Sequence, residues 1–147
     1  MTGARNVKGG LVLMSAGLAA GLTMSLYAFT PMVPVPGSLT HYDDLPRRLL
    51  RLAHIAAIML PLINILLGPW LDRVDLPGPL RRAASWLLLL GAAGLPPALA
   101  LEALVPAVIP LHPAAAPALA FSLAVVVTAA GACRTDFTKE VSDAGHR

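Results

Sequence analysis

The side chains in this sequence that could do chemistry are few. They are two histidines, His54 and His112, one glutamate between apolar stretches, Glu102, two arginines one helical turn apart, Arg47 and Arg51, and an asparagine inside an apolar run, Asn64. A neutral imidazole ligates haem iron or a divalent metal, and it hydrogen-bonds a quinone oxygen. A b-type haem held between helices needs two facing histidines as axial ligands. His54 and His112 are the pair this chain supplies, with Arg47 and Arg51 expected to meet the propionates. Glu102 beside the histidines would extend the same set to a divalent metal. The plainer expectation for His54 is a neutral ring bonded to a backbone carbonyl or to Glu102, fixing helix packing. Other chemistries lack their residues. There is no HExxH, CxxC or His-x-x-His, no glycine-rich phosphate loop, and Ser15, Ser25, Ser85 and Ser122 have no adjacent base. The single Cys133 excludes an intrachain disulfide and a cysteine metal framework.

The elements that must position these residues follow from where charge is missing. Eleven basic and eight acidic residues fall into short clusters. Between them Gly9 to Tyr42, Leu52 to Leu71, Ala83 to Leu101 and Ala103 to Cys133 carry no formal charge. A helix rises about 1.5 Å per residue and the hydrocarbon core is about 30 Å thick, so about twenty apolar residues cross it. Four windows are long enough. Composition agrees: 13% charged residues against about a quarter in soluble domains, 56% hydrophobic and mean hydropathy +0.71. The expected fold is all-α, an integral membrane four-helix transmembrane bundle, up-down and antiparallel, with proline-kinked second and third helices. Spans are expected at about 10–30, 46–68, 82–104 and 113–133, forming a single unit over 1–133 followed by a polar tail over 134–147.

Positive residues are retained on the cytoplasmic side of a membrane. Arg5, Lys8, Arg73, Arg81, Arg82, Arg134, Lys139 and Arg147 fall on one side, and Arg47, Arg48 and Arg51 on the other. Both termini are therefore expected in the cytoplasm. Trp70 and Trp86 then form an inner aromatic belt, with Tyr27 near the outer one. The surplus of arginine over lysine, with abundant alanine, points to a GC-rich genome and a bacterial inner membrane. A net charge of +3 and a pI near 9.6 would suggest nucleic acid in a soluble chain. Here the cations flank apolar runs, so they are read as headgroup contacts and no nucleic-acid partner is expected. The first apolar run continues through Leu26 and Tyr27 without a small-x-small cleavage site, so it reads as a retained span.

Along the chain, Gly17, Gly21 and Ser25 recur every fourth residue and offer a small-residue face for close helix contact, within the chain or with a second copy. Three prolines between Thr30 and Leu45 predict an extended exterior loop, with Asp43 or Asp44 capping the second helix. At 100° per residue, Arg47, Arg51, His54, Ala57, Pro61, Asn64 and Gly68 share one arc of that helix. Leu49, Leu52, Ile55, Met59, Leu62 and Leu66 face the other way, toward acyl chains. Pro61 withdraws the donor that Ala57 would otherwise meet, and Asn64 is expected to bond across the bundle. Pro96-Pro97 predicts a break or sharp bend in the third span. His41, Asp43, Asp44, Arg47, Arg51, His54, Glu102 and His112 then gather at the outer side, where any site belongs.

In outline, transmembrane helices with histidines near one face resemble membrane cytochrome subunits, which implies haem b as the ligand of that cluster; a quinone headgroup is the related expectation from His and Glu themselves. With almost no extramembrane mass, the expected role is an accessory or assembly subunit of a membrane complex, acting through lateral contacts with another membrane protein or with itself. Haem- or quinone-linked electron transfer is the alternative. Transport is disfavoured, because Asn64 is the only deep polar side chain and no ionisable path crosses the middle.

Overall fold

The computed structural model describes residues 2–28, 34, 37–39 and 43–135. Helices α1 (Thr2–Ala28), α2 (Leu45–Leu71), α3 (Gly78–Leu104) and α4 (Ala115–Arg134) account for most of them. Short 3-10 turns lie at Gly37–Leu39 and Pro106–Leu111, and no strand occurs among the described residues. All four long helices have the length and apolarity to cross a membrane. The chain is a multi-pass membrane protein built as an all-α four-helix bundle.

Contacts at matched levels fix the up-down order. Thr2 meets Asp72 at the end where α1 begins, α2 passes into α3 and α4 finishes, which we call basal. Glu102 meets Ala114 at the opposite, apical end. α1, α2 and α3 pack on one another, and α4 packs almost wholly on α3. The buried stripe of α4, Phe121, Ala124, Thr128 and Gly131, has the three-four spacing of a single helical face. The outward surface is leucine and valine, with Val12, Leu22, Leu119 and Val126 among the most exposed. That inside-out pattern suits acyl chains and would be ruinous in water.

Small residues set the α1–α2 distance. A Cβ on Gly3 would collide with the carbonyl oxygen of Gly68, and one on Gly17 with that of Ala57; at Gly10 it would lie 2.7 Å from the oxygen of Pro61. Each glycine therefore aims its own Cα hydrogen at an α2 carbonyl, a weak hydrogen bond that recurs at close helix crossings. The Ala57 contact is informative, because Pro61 cannot donate to that carbonyl. Ser25, read as part of the same face, is exposed, and its hydroxyl returns to Leu22 O at 2.7 Å.

Helix limits differ from the sequence expectation at several points. α1 starts at Thr2 rather than near residue 10, α2 runs through Gly68-Pro69 to Leu71, and α3 is continuous through Pro96-Pro97. Charge mimicked a loop in α1. Arg5 and Lys8 lie on a helical extension before the apolar run, where the guanidinium of Arg5 lies 4.2 Å from the Trp86 ring. The exterior loop with His41, the ring of Tyr27 and tail residues 136–147 lie outside the described residues.

Candidate functional site

The conspicuous feature of the apical half is a cavity of about 580 Å³ between α1, α2 and α3. Its position follows from residue size. α3 buries Ala92 and then Leu99, but between them come the two prolines, which are not buried and line the cavity. α1 contributes Ala16, Gly17 and Ala20, too small to fill the gap, and Leu39 and Leu104 stand at its apical rim. The lining is almost entirely apolar.

Two polar features interrupt it. The first is His54, half-buried on α2, with its ring pressed against Gly21 so closely that a Cβ there would overlap Cε1. Its Nδ1 is buried without a hydrogen-bond partner. Thr23 also lines the cavity, but its hydroxyl is engaged by Ala20 O at 2.7 Å within α1. The second is backbone: Pro96 and Pro97 carry no N–H, so the carbonyls of Ala92 and Ala93 lose the donors they would have in an unbroken ladder. Both residues are in the cavity wall. An imidazole with an unmatched nitrogen thus shares one apolar chamber with two residues whose carbonyls lack the usual helical donor, and the unmet Nδ1 is unfavourable by about 1–3 kcal/mol.

The other sequence candidates are not assembled around this cavity. His112 is exposed at the end of the 3-10 turn, in the left-handed region at φ 47°, and it does not line the cavity. Its backbone makes the turn: its N–H donates to Ile109 O at 3.0 Å and its carbonyl accepts from Ala115 at 2.9 Å. Glu102 is buried, and its Oε1 accepts the backbone N–H of Ala114 at 3.1 Å, which places a carboxylate at the positive end of the α4 dipole. Arg47 reaches Leu39 O at 3.4 Å, and Arg51 is half-buried on the His54 face. Asp44 occupies the N-cap position of α2 with no side-chain cap bond. Among the described residues, no group of three or more His, Cys, Asp or Glu could hold a metal ion.

A second polar assembly lies at the basal end, and only one of its members stood out in the sequence. Asn64 is fully buried, seven residues or about 10 Å from the basal end of α2. Its Oδ1 accepts from Asn6 Nδ2 at 2.8 Å, and its Nδ2 donates to Leu88 O and Leu60 O, each at 3.1 Å. Asn6 also donates to Ser85 O at 3.2 Å and accepts from the Ser85 hydroxyl, which in turn takes a 2.7 Å bond from Arg5. One network therefore joins α1, α2 and α3. Beside it Asp72 accepts the backbone N–H groups of Thr2 and Gly3 and the Thr2 hydroxyl, capping α1 from the end of α2. The Thr2 hydroxyl, helped by those amides, holds the Asp72 carboxyl below its ordinary value of 3.8. Asn6 and Ser85 carried a weak signal: each is an uncharged polar residue one position from a basic or aromatic anchor.

No family model, no curated protein and no solved structure matches the chain. Function has to be argued from the cavity and the helix faces.

Proposed function

We propose that this membrane protein is a binding subunit, holding a quinone-type amphiphile in the apical cavity and acting through lateral helix contacts within a membrane complex. The observation that carries the reading is His54: a partly buried imidazole with an unpartnered nitrogen in an otherwise apolar chamber of about 580 Å³. Ligand pockets have this character, mostly hydrophobic with one or two polar groups that orient the occupant, and volumes of about 300–1,000 Å³. A quinone carbonyl accepts from imidazole. The hydroxyl of the corresponding quinol donates to a backbone carbonyl such as that of Ala92 or Ala93, and its apolar tail suits the alanine and leucine walls. A haem would need a second axial ligand, and His112 stands outside the lining. The bias of Lys and Arg to the basal end supports a cytoplasmic placement of that end in a bacterial inner membrane, with the cavity toward the outer leaflet. The exposed apolar faces of α1 and α4 support contact with lipid and with a neighbouring membrane protein.

The test is to purify the protein in mild detergent, extract it with organic solvent, and measure quinone per polypeptide against the ratio in the parent membrane. The expected result is enrichment in the wild type and its loss in His54→Leu, a variant that keeps the bulk but removes the ring nitrogens. No enrichment, or equal enrichment in the variant, would refute the reading, and a Soret band would replace quinone with haem. Larger polypeptides that co-purify support the subunit role; a clean monomer counts against it.

A further inference from the structure

A second concavity, about 680 Å³, runs between α1 and α3 at the basal end, remote from His54. Its floor and one wall are Val12, Leu13 and Leu89, and its mouth holds Arg5, Lys8 and Trp86. The groove exists because Gly9 has no side chain: a Cβ there would lie 2.6 Å from Leu89 Cδ2. Arg5 and Lys8 stand three residues apart on α1, on one face of the helix. Arg5 is held in place, stacked 4.2 Å over Trp86 and bonded to Ser85 Oγ at 2.7 Å. Lys8 is exposed.

Charge is unbalanced here. Neither Arg5 nor Lys8 has a carboxylate partner among the described residues. Asp72, the carboxylate that caps α1, is occupied by Thr2 and Gly3, so the start of α1 is already satisfied and is not the anion site. What remains is a fixed guanidinium and a mobile ammonium above an apolar trough, next to an indole of the kind that sits at headgroup depth.

We propose that this groove binds an anionic glycerophospholipid, with the phosphate between Arg5 and Lys8 and an acyl chain along Val12, Leu13 and Leu89. Two features select a lipid over a soluble anion. The cations are carried on the spanning helix itself rather than on an extramembrane loop, and the trough continues from them along its apolar residues. Basic pockets between transmembrane helices take anionic headgroups by this combination. Each cation contributes a preference on the order of fivefold near a membrane surface.

The experiment uses the full chain in nanodiscs of zwitterionic phosphatidylcholine doped with bromine-labelled lipids, in a Trp70→Phe background so that Trp86 is the reporter. Brominated phosphatidylglycerol should quench Trp86 at roughly 25-fold lower mole fraction than brominated phosphatidylcholine, about fivefold for each of the two cations. Lys8→Gln, at an exposed position that leaves the packing intact, should reduce that preference by about fivefold, and adding Arg5→Gln should abolish it. Equal quenching by the two lipids, or an unchanged preference in Lys8→Gln, would overturn the proposal. So would displacement by inorganic phosphate but not by chloride at matched ionic strength, which would make the groove a site for a soluble anion.

Discussion

The Asn6–Asn64 bond offers the sharpest test of how the bundle is held, because it joins two helices and both residues are fully buried. Asn64→Ala deletes the 2.8 Å bond to Asn6 and the 3.1 Å bond to Leu88 O. Bonds between helices in a bilayer average about 0.6 kcal/mol and reach about 1.7, so the pair predicts a loss of about 1–3 kcal/mol. Asn6→Ala deletes the same Asn64 bond together with those to Ser85. Only one bond is shared, so a double-mutant cycle isolates it. The coupling should be about 0.6–1.7 kcal/mol, with the double variant more stable than the sum of the single losses implies. Reversible unfolding in mixed micelles, followed by steric trapping, measures all four proteins. Thr128→Ala supplies the control, since its hydroxyl bonds Ala124 O within α4 and should add independently to Asn6→Ala. Strict additivity of Asn6→Ala and Asn64→Ala would refute the reasoning, because it would mean that no energy passes through the bond.

Three further outcomes follow from individual residues. Gly17→Ala places a methyl against the backbone oxygen of Ala57, which cannot rotate away, and should cost about 1–3 kcal/mol; Gly37→Ala, whose added Cβ would meet no described atom within 4 Å, should be neutral in the same assay. The folded-state pKa of Asp72 is lowered, so its stabilising contribution is complete above 3.8 and fades as pH falls through the lower folded value. Wild type should therefore exceed Asp72→Asn in stability near neutrality and converge with it in strong acid. The carboxylate is largely exposed, so the gap should stay below about 1 kcal/mol. His112 adopts φ 47°, a conformation glycine takes without strain, so His112→Gly should hold or raise the detergent melting temperature. His112→Val should lower stability by about 1–2 kcal/mol.

Much of the architecture could be read from where charge was absent. The gap from Leu52 to Leu71 lies inside α2 and that from Ala83 to Leu101 inside α3, because in lipid an uncharged run of this length has few alternatives to a helix. The α2 arc was also legible: Pro61, Asn64 and Gly68 are buried, while Leu52, Ile55, Met59 and Leu66 are exposed. What could not be read was which partner each polar residue would meet. Asn6 and Ser85 lie seventy-nine residues apart, and no spacing rule links a residue before the first apolar run to one in the third. The start of α1 was obscured because Arg5 and Lys8 look like a terminus, although a helix can carry both at an interface. Apical residues such as His112 and Glu102 share an end of the bundle, yet that alone does not bring them into the cavity beside His54. Rotation about each helix axis decides that, and the cavity itself arises from what Gly17, Ala20 and Ala93 lack.

The three glycine contacts between α1 and α2 also constrain how the cavity can breathe. Gly3, Gly10 and Gly17 seat backbone against backbone at seven-residue intervals, so sliding one helix along the other breaks every contact until a full step of about 10 Å is completed. The pair behaves as a strut. Of the three helical walls around His54, α3 lacks two rungs of its ladder, at Pro96 and Pro97, whereas the one missing from α2, at Pro61, is braced by the Gly17 contact with Ala57. Restoring those two rungs with Pro96→Ala and Pro97→Ala should therefore slow exchange of any occupant, read as its dissociation rate from the purified protein.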